Sequence, residues 1–151
     1  MIGISCYWDM TKGAKNAPPS AEDLAERWRT IRRGILDFAA AEGRPVFLTE
    51  IGYPSLPWGL KDPWNYVNSE EATADAAVQA RGYAAFLAAW DDLLVSTPDR
   101  TRFAGVVFYE WDVYASGGDK DDTGYGIRGK PAHALVKRWL SEREKRMARR
   151  D

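Results

Sequence analysis

The stretch Val46-Phe47-Leu48-Thr49-Glu50-Ile51 decides the fold, because it is a short apolar run that closes on a carboxylate and has a helical pattern on each side. Apolar runs of this length are typical of strands covered on both faces, which occur mainly in parallel sheets. One helix is predicted between Ser20 and Gly43, and another from about Ser69 to Val95. A strand between two helices predicts βαβ units with right-handed crossovers.

The same alternation continues toward both ends of the chain. Residues 2–8 form another short apolar run, and residues 103–111 form a third, which is followed by a helix that begins near Pro131. We therefore predict an α/β fold in which three parallel (β/α) units make a single structural piece over residues 1–151. The last helix ends in a basic tail over 141–151, which we interpret as a solvated helix end, with a binding arm as the alternative.

The first helix carries start and stop signals. Ser20 and Asp23 have the spacing of a capping box, in which each side chain accepts a hydrogen bond from the other residue's backbone N–H. Gly43 suits a left-handed cap, and Pro45 cannot continue a helix.

Length and composition exclude several classes of protein. The chain has 151 residues, a formal charge of −1 and one cysteine. Balanced charge argues against a globally basic nucleic-acid binder, and one cysteine cannot form an internal disulfide. No apolar run approaches the roughly 20 residues of a membrane-spanning helix, so we expect neither a nucleic-acid nor a membrane partner. A complete (β/α)8 barrel needs about 250 residues, which is more than this chain has.

The residues best suited to chemistry lie at the carboxyl ends of the strands, where parallel α/β folds place their ligand sites. The first strand ends in Tyr7-Trp8-Asp9, the second in Thr49-Glu50 and the third in Glu110-Trp111-Asp112. Glu50 is the sharpest candidate, because a carboxylate that closes an apolar strand is costly to bury without partners. It is either a satisfied structural acid or a functional one.

The 7 tryptophans divide into two groups. Those on apolar helix faces are predicted to lie in the core, whereas those at strand ends or in the following loops are candidates for binding the apolar faces of sugar rings, with loop packing as the alternative. The first group is Trp28, Trp90 and Trp139, and the second is Trp8, Trp58, Trp64 and Trp111.

Signals for a metal or a cofactor are weak. Residues 119–124 resemble the start of a calcium loop, but Lys130 stands where a bidentate glutamate is required, so we interpret the segment as a polar loop over a cleft. His133 has no histidine or cysteine partner in sequence, and Gly117-Gly118 lacks the spacing of a phosphate-binding loop. We expect no metal and no cofactor.

The segment 49–55, Thr-Glu-Ile-Gly-Tyr-Pro-Ser, resembles the strand-seven segment of retaining glycoside hydrolases of clan A, in particular glycoside hydrolase family 113, the β-mannanases. Four further matches fall in register along the chain. They are the segment 2–7, which is similar to strand six, Pro63-Trp64, Gln79 with Tyr83, and the segment 124–132 that leads into the last helix.

The resemblance implies a part of a TIM barrel, strands six to eight with their helices, and a double-displacement glycosidase in the full-length parent. Glu50 matches the nucleophile, Tyr7 is placed to hydrogen-bond its carboxylate and keep it ionised, and Trp111 matches an aromatic platform. The implied partner is an oligo- or polysaccharide with β linkages, mannan in the first place. The implied substrate-binding residues are Tyr7, Trp8, Tyr53, Trp58, Trp64, Trp111 and Asp112.

Retaining hydrolysis needs a second carboxylate about 5–5.5 Å from the first. In the resembling family it comes from strand four, which has no counterpart here, so we expect the isolated chain to be inactive. Glu110 and Asp112 are alternative sources within the chain. The rival function is a non-catalytic carbohydrate-binding or structural module derived from a barrel. In either case unpaired edge strands predict self-association or pairing with the missing barrel half, whereas a stable monomer favours a small open α/β sheet.

Overall fold

The computed structural model describes residues 1–66, 71–95, 102–113 and 121–148. Three parallel strands alternate with three helices and form a sheet in the order β1-β2-β3, which confirms the predicted α/β fold. No helix in these ranges is both long and apolar enough to cross a membrane. The elements are β1 (Ile2–Cys6), α1 (Ala21–Glu42), β2 (Val46–Ile51), α2 (Ala76–Val95), β3 (Phe103–Phe108) and α3 (Pro131–Ala148).

The ends of α1 follow the sequence signals. Ser20 Oγ accepts from the Asp23 N–H at 3.1 Å, and the Asp23 carboxylate accepts from the Ser20 N–H at 3.1 Å, so the predicted capping box is present. Gly43 ends the helix with a φ of 59°, a conformation that glycine adopts without a Cβ clash.

The second helix begins later than the sequence pattern predicts. It starts at Ala76 rather than near Ser69, which lies outside the described residues. The Asp75 carboxylate accepts from the N–H groups of Ala77 and Val78, each at 3.1 Å, and so satisfies donors that the first turn leaves free. Periodicity missed this boundary, because alanine-rich sequence before a cap looks as helical as the sequence after it.

The helices cover one face of the sheet and form the core with it. Trp28 and Trp90 are fully buried and Trp139 nearly so, as predicted for the tryptophans on helix faces. Trp28 packs edge-on to Phe86 at 5.1 Å between ring centroids, and Phe86 stacks on Trp90 at 5.8 Å. Aromatic pairs in these geometries add to the stabilisation from buried apolar area.

The other face of the sheet is open, so the expectation of strands covered on both faces is wrong for the described residues. Gly3 and Ser5 of β1 are exposed, Val107 of β3 is 47% exposed, and Tyr109 just beyond it is 37% exposed. An apolar strand pattern shows that both faces can be buried, but it carries no information on which element covers them. The observed arrangement is that of a partial α/β barrel.

Candidate functional site

A bulge in β2 turns Glu50 toward the open face. Ile4 of β1 is opposite Leu48, but the next residue, Ser5, is opposite Glu50, so Thr49 is an extra residue between two regular pairs. Leu48 and Ile51 are buried toward the helices. Bulges of this kind re-aim one side chain without interrupting the sheet.

Glu50 meets Tyr7 across the ends of β1 and β2. The Tyr7 hydroxyl donates to Glu50 Oε2 at 2.6 Å, the short distance expected for a bond to a carboxylate. Burial raises the pKa of Tyr7, and the bond to Glu50 raises it further, so the phenol keeps its proton and remains a donor. The contact that the sequence predicted is present.

Two tyrosine rings extend the site beside this pair. Tyr125 lies edge-on to Tyr7 with 6.1 Å between ring centroids, and Tyr109 lies edge-on to Tyr125 at 5.4 Å. Burial, followed by the influence of Tyr109 and Tyr66, raises the pKa of Tyr125 to about 12. Sequence reasoning directed at tryptophan missed both rings, although Tyr109 directly precedes Glu110 at a strand end.

Contacts to the backbone carbonyl of Tyr109 hold the ends of β2 and β3 together, and these contacts require specific residues. Tyr83 of α2 donates its hydroxyl to the Tyr109 carbonyl at 2.8 Å. Gly52 follows β2, and a Cβ built there would lie 2.3 Å from the same carbonyl oxygen, so only glycine fits. The peptide bond from Tyr109 to Glu110 is cis. These contacts fix where Tyr109 stands relative to Glu50.

Trp64 is connected to this cluster through the backbone of the residue that precedes it. The Tyr125 hydroxyl donates to the carbonyl of Pro63, which directly precedes Trp64. Trp64 is 53% exposed and Tyr66 is also exposed, so the loop presents two free rings at the rim of the site.

Trp8 and Trp58 are more buried than Trp64. Trp8 is half-buried and stands edge-on to Trp28 at 6.0 Å. Trp58 is half-buried, and its indole N–H donates to the Asn65 carbonyl at 3.0 Å within its own loop. The alternative of loop packing therefore accounts for most of the contacts of these two residues.

The placement of Tyr53 does not support a role in binding. Its side chain is 1% exposed, its hydroxyl accepts from the Trp28 indole N–H at 3.0 Å, and its ring packs against Tyr83 and the Cα of Gly82. The residue follows β2 closely in sequence, but it points into the core on the helix side of the sheet.

Trp111 and Asp112 lie beyond β3, toward α3. Trp111 is half-exposed, and its ring neighbour is His133, edge-on at 5.0 Å, rather than a tyrosine of the cluster around Glu50. With Ile127, Val136 and Leu140 it lines an open groove of about 330 Å³. Asp112 is half-buried next to it.

Glu110 and Asp122 are the other carboxylates to consider. The charge of Glu110, followed by burial, raises the pKa of Tyr109, whereas burial, followed by the charge of Glu110, raises the pKa of Tyr83. Asp122 accepts from the Gly124 N–H at 2.8 Å and pairs with Lys130 at 3.1 Å, so it has structural partners. The rest of the calcium-like segment, residues 119 and 120, lies outside the described residues. Within the described ranges, no group of three or more potential metal ligands comes together.

Comparison with known proteins gives structural matches only, since no family model and no curated protein matches the chain. The GH113 β-mannanase AaManA from Alicyclobacillus acidocaldarius, solved in complex with ManMIm, superposes with a TM-score of 0.63 and 31% identity. The match covers 79% of this chain and 36% of that one.

Two GH113 β-1,4-mannanase structures, at 18% and 20% identity, match with TM-scores of 0.65 and 0.62 and support the fold. They cover 93% and 78% of this chain and 38% and 36% of their own. The chain thus spans little more than a third of the length of the proteins it matches. The chain has a glycoside hydrolase-like fold, that of part of an α/β barrel, and in sequence and structure it is similar to the GH113 β-mannanases.

Proposed function

We propose that this chain carries the nucleophile side of a retaining glycosidase site for a β-linked polysaccharide of the mannan type. The single observation that carries the proposal is the Tyr7–Glu50 hydrogen bond of 2.6 Å at the carboxyl ends of two parallel strands. The likeness to GH113 β-mannanases supports both the reaction class and the sugar.

The chemistry follows from the two oxygens of Glu50. Tyr7 donates to Oε2, so Oε1 is the atom proposed to attack the anomeric carbon. The bond from that carbon to the glycosidic oxygen breaks, the departing oxygen takes a proton from a second carboxylic acid, and a covalent glycosyl ester forms on Glu50. Water then attacks the anomeric carbon and gives a proton to the second carboxylate, which releases the sugar and restores Glu50.

The rings beside Glu50 are proposed to hold the sugar. Tyr109 and Tyr125 form one wall, and Trp64 and Tyr66 stand exposed at the rim. Aromatic faces pack well against the C–H faces of pyranose rings, while the phenol hydroxyls can bond to sugar hydroxyls.

The second carboxylate is proposed to come from a polypeptide segment that completes the barrel. The outer edges of β1 and β3 are unpaired among the described strands, and the sheet face that carries Tyr7 and Glu50 is open. A segment with parallel strands could pair with these edges and cover this face.

The second candidate is a carbohydrate-binding module without catalysis. It is favoured by the aromatic wall, which suffices for binding, while Glu50 is one carboxylate of the two that retaining hydrolysis needs.

A titration of intrinsic fluorescence with mannohexaose tests the sugar site. We expect saturable binding that Tyr109→Ala and Tyr125→Ala each weaken about fivefold, since stacking on one aromatic ring is worth roughly 1 kcal/mol. Phe38→Ala is the matched control, because Phe38 is an exposed aromatic residue on α1.

Equal affinity of all four proteins would refute the sugar site. The chain alone is expected to bind without turnover in either case, so release of reducing ends is measured with the barrel completed by the segment that carries the second carboxylate. Turnover then indicates the enzyme, and binding without turnover indicates the module.

A further inference from the structure

Lys130 is a buried cation at the N-terminus of α3, and the proposed chemistry does not use it. Its side chain is 2% exposed. The ammonium donates to Ser55 Oγ at 3.0 Å and to the Gly124 carbonyl at 2.9 Å, and it pairs with Asp122 at 3.1 Å. All three of its donors therefore have acceptors, which is the condition under which a charged group can stay buried.

The acceptors come from two different loops. Ser55 belongs to the loop after β2, the strand that ends with Glu50, whereas Asp122 and Gly124 belong to the loop after β3. The Ser55 N–H also donates to the Gly124 carbonyl at 3.1 Å. Lys130 thus connects the loop that contains Tyr125 to the loop that follows β2, the strand in which Glu50 lies.

Gln79 of α2 forms a second buried set of hydrogen bonds that connects the same two loops. The residue is fully buried, and its Nε2 lies 3.0 Å from the Tyr53 carbonyl and 3.0 Å from the Tyr125 carbonyl. The Tyr125 carbonyl is therefore bound by a side chain of α2, while the Gly124 carbonyl is bound by Lys130.

We propose that Lys130 is a positioning residue, which, beside the connection made by Gln79, fixes Tyr125 so that its ring supports Tyr7 against Glu50 and forms the wall of the sugar site. The effect on sugar binding rests on the proposed function, whereas the positioning of Tyr125 beside Tyr7 rests on the contacts alone. The edge-on contact of 6.1 Å between Tyr125 and Tyr7 is the link that transmits the effect. A merely stabilising role would leave the environment of Tyr7 unchanged in any variant that remains folded.

The test uses the whole chain with 13C-labelled tyrosine, in which the Tyr7 and Tyr125 ring signals are assigned by their loss in Tyr7→Phe and Tyr125→Phe. Lys130→Met removes the charge at nearly constant volume, and Ser55→Ala is a milder variant that removes only one acceptor of the Lys130 ammonium. Val136→Ala is the control, since Val136 is a buried residue of the same helix.

We expect the Tyr7 and Tyr125 signals to shift in Ser55→Ala, and in Lys130→Met where it folds, and to stay in place in Val136→Ala. Mannohexaose affinity should fall about fivefold in the first two variants and remain unchanged in the control.

Unchanged Tyr7 and Tyr125 signals in folded Ser55→Ala and Lys130→Met would overturn the positioning role. A parent chain that binds no sugar, yet shows the shifts, would refute the proposed function and leave the positioning role standing.

Discussion

At the scale of single residues, the position of Glu50 at a strand end predicts a candidate site but does not predict the direction of the side chain. A carboxylate that closes an apolar strand marks a candidate site from composition alone. Its direction depends on the bulge at Thr49, which sets Glu50 opposite Ser5 and within reach of Tyr7. Register shifts of one residue leave no trace in the pattern of apolar residues, so the contact with Tyr7 was predictable from the family resemblance and not from that pattern.

Tyr53 and Lys130 mark the limits of residue-level prediction. Tyr53 lies two residues beyond β2 and within the segment 49–55 that resembles an active-site motif, yet its ring points into the core, because Gly82 leaves room for it there. Lys130 looks like an ordinary surface lysine in sequence, since Ser55, the acceptor that joins it to the loop after β2, lies 75 residues away along the chain. Neither fact follows from local pattern.

Alkaline pH should destabilise the protein through its buried tyrosines. Burial raises the pKa of Tyr125 from 10.0 to about 12, because the phenolate is poorly solvated in its site. The folded chain therefore holds this proton more tightly than the unfolded chain. The resulting stabilisation is complete below about pH 10 and is lost as the pH rises to about 12.

Urea unfolding at about pH 7, 10 and 11 measures this loss. Tyr125→Phe should show a shallower decline of the free energy of unfolding than the parent chain, because phenylalanine has no proton to lose. Tyr66→Phe, which changes an exposed tyrosine, should decline like the parent. If the free energy of unfolding of Tyr125→Phe declined with pH as steeply as that of the parent, Tyr125 would not be a source of the loss.

At the scale of elements, the order of strands and helices was predictable and their boundaries only in part. The α1 boundaries carry capping residues that can be recognised in the sequence, the side chains of Ser20 and Asp23 at the start and the left-handed backbone of Gly43 at the end. The start of α2 at Ala76 depends on Asp75, which stands in sequence that is helical by propensity on both sides. Strands β1 and β3 end before the predicted Trp8 and Trp111, because apolar residues continue into the loops.

Two helix glycines give a matched test of how α2 packs on the sheet. A Cβ at Gly82 would lie 2.6 Å from the Tyr53 ring, whereas one at Gly34 of α1 would meet nothing within 4 Å. We expect Gly82→Ala to lower the free energy of unfolding by about 1–3 kcal/mol through overpacking. Gly34→Ala should raise it by about 0.5–1 kcal/mol through helix propensity. Thermal and urea unfolding measure both, and equal effects of the two substitutions would refute the packing described for Tyr53.

At the scale of the whole molecule, the open sheet face is the feature that most affects behaviour. Apolar strands predicted burial on both faces, whereas the described residues cover the sheet on the side that faces the helices and leave the other side open. Unpaired strand edges and exposed apolar residues such as Val107 favour association with another polypeptide.

Sedimentation velocity tests this expectation. The chain should associate in a concentration-dependent manner, and Val107→Lys should shift it toward the monomer, because a charge on the open face opposes burial. Phe38→Lys places the same charge on an exposed position of α1 and should leave association unchanged. A parent chain that stays a compact monomer at all concentrations would favour a small, self-sufficient α/β sheet.

Covalent labelling of the whole chain tests whether Glu50 is the nucleophile of a sugar site. A 2,4-dinitrophenyl 2-deoxy-2-fluoro-β-mannoside carries a leaving group that departs without a proton, so labelling does not require the second carboxylate. Peptide mass spectrometry should find one glycosyl adduct, on the peptide that contains Glu50, and no adduct in Glu50→Gln. An adduct on another residue, or the same labelling in Glu50→Gln, would contradict the assignment of Glu50.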